Sequence, residues 1–348
     1  MFDLSFCSPG IAVVAYIAYK GIQASLNLAD FGYHVFLVER EHELGGNLKN
    51  LGELFPKGEN ASDLLSNLLD QIEDRKNVTI MKNSEILDIT GELPEFKVKV
   101  KSLNNEKSLS VNAVILAIGF KPYDPSPLRQ YGYGKYKDVL TSLELEEMLK
   151  NGRLVKPSNS KKPNSISIIQ CVGSRDNKAN PYCSSFCCMY AIKFAQQIKK
   201  MHPEVMITIL YMDIRTPYEG EFDYNNARLL GVRFLRGKPA RVRKINDALV
   251  VQVEDTLENN LVFLESDIVV LSIGGVPDPT TAFFKKKLNL ELSNSGFFHV
   301  TERPVGTNVK GVFVAGAACG LKDIAYSLAQ GSCAAAKVDI ILKSREIK

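Results

Sequence analysis

The sequence predicts an α/β protein with two three-layer domains of dinucleotide-binding type. Three observations carry this reading. The chain has 348 residues, enough for two domains. It opens on strand, turn, helix and strand within roughly 30 residues, the size of one βαβ unit. A second unit of the same kind begins at residue 165.

Taken in order, Ile11–Tyr16 reads as a buried strand, Gly21–Phe31 as an amphipathic helix and Tyr33–Glu39 as the next strand. A polar turn with Gly45 and Gly46 follows, then a helix over Ala61–Arg75 and strand-like runs at Val78–Lys82, Phe96–Lys101 and Ala113–Ala117. Residues 121–164 shift to Pro, Tyr, Lys, Asn and Ser, which reads as an interdomain connection with one helix, Ser142–Asn151. The second unit has a strand at Ser165–Gln170, a helix at Cys188–Lys200 and a strand at Met206–Asp213. A helix at Phe222–Leu230 and strands at Val232–Arg236, Leu249–Glu254 and Ile268–Ser272 complete it. The chain then returns to an apolar strand, Gly311–Ala315, a glycine-bounded turn and a helix from Ile324. The expected division is residues 1–125 with 285–348 as one discontinuous domain, 126–164 as the connection, and 165–284 as the second domain.

Composition narrows the function classes. Hydrophobic residues make up 45% and charged residues 24%, the balance of a soluble globular chain. The net charge of +4, from 43 basic and 39 acidic residues, shows no basic stripe and argues against nucleic-acid binding. No run of 18 apolar residues exists, so no membrane span is expected. Gly10–Tyr19 is apolar but short, without a basic n-region or a small-residue cleavage site, so no signal peptide is expected. Seven cysteines without an export signal point to a reducing compartment rather than a disulfide framework.

A dinucleotide-binding turn wants G-x-G-x-x-G after its first strand, because glycines let the backbone approach the pyrophosphate. The register set by Gly21 and Glu39 puts Tyr16 and Ala18 at the first two glycine positions, so that motif is weak. Glu39, with Arg40 beside it, falls at the distance expected for a ribose-binding acid. Glu-Leu-Gly-Gly-Asn at 43–47, with Gly45, Gly46 and Asn47, resembles the second glycine pair of FAD-binding proteins. Ala-Ile-Gly at 117–119, with Ala117 and Gly119, resembles their third contact. Each glycine alone reads equally as a turn residue; together they favour FAD. Val-Phe-Val-Ala-Gly-Ala-Ala at 312–318 resembles a closing flavin strand, with Gly316 in place and Ala317 where an aspartate usually stands. Lys322, Asp323 and Ile324 open the next helix, whose N-terminus would favour a negative flavin.

In the second unit the glycine-rich nicotinamide turn is replaced. Only Gly173 remains, and Cys171, Cys183, Cys187 and Cys188 occupy the turn in a C-x11-C-x3-C-C pattern. Thiolates at a helix start suit a cubane cluster or a tetrahedral metal. A [4Fe–4S] cluster leads; a redox or vicinal disulfide, zinc, and inert buried thiols stay open. Cys7 is read as a bystander, and Cys319 and Cys333 as packing residues near the terminal helix.

These residues point to a family. Ile-Gln-Cys-Val-Gly-Ser-Arg-Asp at 169–176, Tyr-Cys-Ser-Ser-Phe-Cys-Cys-Met-Tyr-Ala-Ile-Lys at 182–193 and Tyr-Met-Asp-Ile-Arg at 211–215 closely resemble the A subunit of heterodisulfide reductase. So do Gly-Ile-Gln-Ala-Ser-Leu-Asn-Leu-Ala-Asp at 21–30, Tyr-Gly-Tyr-Gly at 131–134 and Lys-Asp-Ile at 322–324. The bare core resembles the short A subunit of the heterodisulfide reductase-like complex of sulfur-oxidising prokaryotes. The family reads Gly-Gly-Gly-Ile-Ala-Gly where this chain reads Tyr-Ile-Ala-Tyr-Lys-Gly at 16–21, so Tyr16, Ala18 and Lys20 depart from it.

The resemblance implies a thioredoxin-reductase-like fold, one FAD, and one unusual [4Fe–4S] cluster on Cys171, Cys183, Cys187 and Cys188. It also implies a cytoplasmic homodimer that docks subunits resembling the B and C subunits, with a lipoate-binding protein as sulfur carrier. The expected function is electron transfer between FAD and the cluster in sulfur-compound oxidation, with no catalytic base or nucleophile of the chain's own. The alternatives are a free-standing NAD(P)H-dependent flavin disulfide oxidoreductase, and a cofactor-poor scaffold subunit.

Overall fold

The computed structural model describes residues 10–14, 19–56, 58–103 and 105–346. Tyr16, Ala18 and Cys7 lie outside the described residues. Two units separate: Met1–Lys49 with Ser62–Lys121 and Pro277–Lys348, and Asn50–Ala61 with Pro122–Val276.

The first unit is organised by a parallel sheet in the order 78–81, 35–38, 10–14, 105–116, with 312–314 joining the far side of 105–116. Val35–Val38 is apolar along its whole length, as a strand covered on both faces must be. The helix Tyr19–Asp30 buries Ile22, Leu26 and Leu28. Gly32, in the left-handed region at φ +88, ends it while Tyr33 N–H returns to the Leu28 carbonyl (3.1 Å). The helices Tyr19–Asp30 and Ile324–Glu346 pack together on one face of the sheet. The other face meets an antiparallel meander, Ser84–Glu92, Glu95–Ser102 and the first half of Asn105–Leu116, together with the helix Thr281–Leu288.

The second unit repeats the layering. Its five-stranded parallel sheet runs 233–236, 206–211, 165–172, 268–273, 139–141. The helices Ser142–Lys150 and Cys187–Met201 cover one face. A meander of 241–245, 248–255 and 260–266 covers the other. Thr141 and Glu144 form a reciprocal capping box on the first helix, each bonding the other's backbone N–H.

The observed units differ from the expected domains at three places. Residues 126–164 do not simply connect: Val139–Thr141 is the edge strand of the second sheet, and Ser142–Lys150 packs on it. Asn50–Ala61 belongs to the second unit, where the Glu53 carbonyl accepts from Lys193 Nζ (2.8 Å) and Gly52 N–H donates to Glu146 (2.9 Å). The unit boundary falls at 276/277 rather than 284/285, because Phe284 is buried in the first unit's core. Four further elements, 84–92, 241–245, 260–266 and 281–288, carry no clear apolar run and emerge only from pairing or packing.

Candidate functional site

Parallel pairing sets the first unit's site. Val14 is level with Val38 and Leu116, and Val314 is level with Leu116. The residues just past these ends, Glu39, Ala117 to Gly119, and Gly316 with Ala317, therefore share the carboxyl edge of one sheet, where open α/β folds bind ligands. Gly21 lies buried in the first turn of its helix, its carbonyl accepting from Ser25 Oγ (2.7 Å).

Glu39 is fully buried. Its Oε1 accepts from Glu41 N–H at 2.7 Å, while Oε2 has no partner among the described residues. Burial is the main reason its pKa rises from 4.5 to about 8; the Glu41 N–H bond, Lys49 and Arg40 pull the other way. A buried acceptor left open costs about 1–3 kcal/mol, so it marks a position where a ligand hydroxyl fits. The Arg40 side chain turns away to Glu41 (3.1 Å).

Gly45 sits at φ +115, and a Cβ there would stand 2.6 Å from Leu65 Cδ2, so only glycine fits this turn. Gly46 (φ +52) leads into a short 3-10 turn from Asn47, whose amide donates to the Phe120 carbonyl (3.2 Å) just beyond Gly119. Gly316 (φ +63) opens a second 3-10 turn with buried Ala317. Lys322 Nζ donates to the carbonyls of Gly316 (3.1 Å) and Gly320 (2.9 Å). Asp323 accepts from Tyr326 N–H (2.7 Å), capping the helix that Ile324 begins.

Gln330 escaped sequence reasoning, and Cys319, expected only to pack near the terminal helix, sits in this turn. Gln330 accepts from Gly316 N–H (2.9 Å) and donates to the Pro304 carbonyl (3.0 Å), fixing the turn from within the following helix. Cys319 lies 3.4 Å from Lys322 Nζ and donates to the Gly316 carbonyl (3.2 Å). Neither carries a sequence signal, since a single Gln or Cys has no motif. Cys333 lies within the final helix.

The second unit's site is the turn after the strand Ser165–Val172. Cys171 adopts φ +59, and Arg175 and Ser185 are also left-handed. Three such non-glycine residues in one loop cost about 1–3 kcal/mol each and cluster at functional sites. The loop closes on itself through Asn180 Nδ2 to the Gly173 carbonyl (2.7 Å) and Arg175 N–H to the Tyr182 carbonyl (2.9 Å). Cys187 and Cys188 are the first two residues of a 15-residue helix that no side chain caps, so its first-turn N–H groups stay available to an anion.

The four thiols line one small pocket, joined by Arg175 and Arg215. Arg175 pairs with Asp213, which Arg215 also meets (3.5 Å). Ser184 Oγ bonds Ser174 Oγ (2.6 Å) and accepts from Gly275 N–H (3.2 Å), sealing the floor. Burial pushes the Cys171 and Cys187 thiols up and Cys188 to about 11. Among the described residues, no group of three or more His, Cys, Asp or Glu is placed to hold a single metal ion. Sequence reasoning found the cysteines but not Arg215, which arrives from the end of the neighbouring strand. No helix among the described residues is long and apolar enough to cross a membrane.

No family model matches the chain. Solved structures show the fold. Thioredoxin reductase of Lactococcus lactis superposes with a TM-score of 0.66 at 16% identity, covering 97% of this chain and 100% of that one. The T. acidophilum enzyme gives 0.64 at 18%, covering 97% and 98%. Sequence relatives are more specific. An iron-sulfur A subunit of the CoB–CoM heterodisulfide reductase of Methanopyrus kandleri is 33% identical over 94% of this chain and 64% of its own length. The corresponding iron-sulfur A subunit of Methanocaldococcus jannaschii is 33% identical over 92% and 62%. The A subunit of the H2:CoB–CoM heterodisulfide, ferredoxin reductase of Methanothermobacter marburgensis is 30% identical over 94% and 63%. The chain thus spans just under two thirds of these relatives. Its two units have the thioredoxin-reductase-like fold, and along nearly all its length it is a homologue of the heterodisulfide reductase A subunit.

Proposed function

We propose that this chain is an oxidoreductase subunit that passes electrons between FAD in the first unit and a [4Fe–4S] cluster in the second, within a heterodisulfide reductase-like complex. The carrying observation is the thiol pocket: four cysteines brought to an uncapped helix N-terminus with two guanidinium groups. The donor set suits an anionic cluster, since thiolates are its usual ligands and the N–H groups and arginines offset its charge. FAD supplies two-electron chemistry that can be released singly, and the cluster carries one electron at a time.

The chain's own residues bind and orient. Glu39 Oε2 offers the open acceptor for a ribose hydroxyl, and Gly45, Gly46 and Gly119 give the edge the positive-φ turns that carry its backbone. Gly316, Ala317, Lys322 and the helix from Ile324 frame the flavin end, where the lysine amine supplies positive charge. Cys171, Cys183, Cys187 and Cys188 are the cluster ligands. Three of them are held protonated by burial, so loading releases protons.

The sister subunits would resemble the B and C subunits, with a lipoate-binding sulfur carrier, a second copy of this chain, a cytoplasmic setting and sulfur-compound oxidation as the context. Support for partners comes from the relatives, which are themselves named as subunits of heterodisulfide reductases. The free-standing NAD(P)H reductase is disfavoured because the nicotinamide turn is filled. Ser184 sits against Ser174 and Gly275, and the Tyr123 ring lies where a Cβ on Gly173 would be 2.2 Å away.

Anaerobic purification with iron, sulfide and flavin quantitation tests the reading. About four iron and four sulfide per chain are expected for one cubane, with one flavin. Cys187→Ala and Cys188→Ala should each lose the iron; wild-type iron in both refutes the ligand assignment. A reconstituted chain with no flavin absorption favours the scaffold instead.

A further inference from the structure

The strand that ends at the thiol pocket carries a polar side chain the rest of the fold leaves unused. Gln170 is 5% exposed, and among the described residues neither its amide nitrogen nor its amide oxygen has a hydrogen-bond partner. A buried amide left so forfeits the hydrogen bonds it would make in water. An apolar residue would avoid that cost, as Ile166 and Ile168 do on the same face of the strand.

Its placement is specific. Strand alternation sets Gln170 with Ile166 and Ile168, on the face covered by the helix that begins with Cys187 and Cys188, while Ile169 faces the opposite layer; the left-handed Cys171 then breaks the alternation, so Val172 faces that layer too. Gln170 directly precedes Cys171. Pairing of Leu271 with Ile169 and of Ile273 with Val172 brings Ser272 level with this stretch. The next residue's carbonyl, that of Ile273, accepts from Tyr190 OH (3.0 Å) and lies 3.8 Å from Cys187 Sγ. The orphaned amide is therefore next in chain to one thiol, on the strand face covered by the helix that bears two more, just outside the residues that line the thiol pocket.

We infer that the Gln170 amide donates its N–H to a sulfur of the cluster held by the four cysteines and thereby raises the cluster's reduction potential. The inference rests on the cluster reading above. A donor aimed at a cluster sulfur stabilises the more negative, reduced state, so hydrogen bonds to sulfur are one lever on cluster potential. The same bond would pair the amide nitrogen that the protein leaves open, and the amide oxygen would still need a donor. An internal water is the competing partner for this amide, and it would leave no nitrogen of Gln170 in contact with the cluster.

The test uses the full chain, purified anaerobically, with glutamine labelled with 15N at the side-chain amide. Iron and sulfide are counted first. Pulsed EPR of the reduced cluster should then show a 15N coupling that disappears in Gln170→Met, which keeps side-chain length without a donor. Gln170→Met should keep its iron, and its midpoint potential should shift downward. A loaded wild-type cluster with no glutamine 15N coupling overturns the inference alone, whatever the variant does. An unchanged potential in an iron-loaded Gln170→Met also overturns it. A wild-type chain that assembles no cluster overturns the cluster reading, and this inference with it.

Discussion

Replacing Glu39 by Gln should change both the pH profile of the ligand-free protein and its grip on FAD. The folded carboxyl has a pKa of about 8 against an ordinary 4.5. Between these values the folded chain keeps a proton that the unfolded chain has released. Stability of the FAD-free protein should therefore fall as pH rises from 4.5 to 8 and level off above. At 1.36 kcal/mol per pKa unit the loss is at most about 5 kcal/mol. Glu39→Gln keeps the shape and cannot ionise. Its unfolding midpoint should lie near or slightly below wild type at about pH 5, and above it at about pH 8. FAD reverses the order, because a ribose hydroxyl bonded to the ionised carboxylate is a charge-assisted pair of about 1.5–3 kcal/mol. Affinity at about pH 8 should fall about 10- to 100-fold in the variant. Urea unfolding of apo-protein at about pH 5, 6.5 and 8, with flavin-fluorescence titration, measures both. A flat wild-type profile over this range, or unchanged FAD affinity in Glu39→Gln, refutes the reasoning.

Three further predictions follow from the second unit. Lys193→Met strands the buried Glu146 carboxylate, which Lys193 Nζ meets at 2.6 and 2.8 Å. It should cost about 3–5 kcal/mol in urea unfolding, much of it recovered when Glu146→Leu is added. Gly274→Ala would put a Cβ 2.2 Å from both Ser174 Oγ and Ser184 Oγ, so the serine pair must part. Iron retained on anaerobic gel filtration should fall while far-UV circular dichroism stays native. Mixing the FAD-loaded chain with NADH in a stopped-flow cell, without partners, should leave the flavin absorbance unbleached; rapid bleaching would instead support the free-standing reductase.

Much of this molecule was legible from local pattern. The strands Val35–Val38, Ser165–Val172 and Ile268–Ile273 are largely apolar runs, and a run covered on both faces needs no knowledge of its neighbours to be recognised. Cys171, Cys183, Cys187 and Cys188 fall within one short stretch of chain, so their meeting is a short-range event. Polar strands such as Arg241–Ile245 and Asn260–Ser266 behaved differently. They expose most of their residues and gain their stability from cross-strand pairs, which sequence periodicity does not record.

By itself the sequence determined the two βαβ units and the thiol spacing, because each depends on residues close along the chain; the edge shared by Glu39, Gly119 and Gly316 comes from long-range parallel pairing. Only tertiary structure decided that Glu39 is fully buried with one oxygen open. It alone brought Arg215 to the thiols, set Lys193 against Glu146, and left the Gln170 amide unpaired. Burial and charge are properties of what packs around a group, and here the packing partners come from distant parts of the chain.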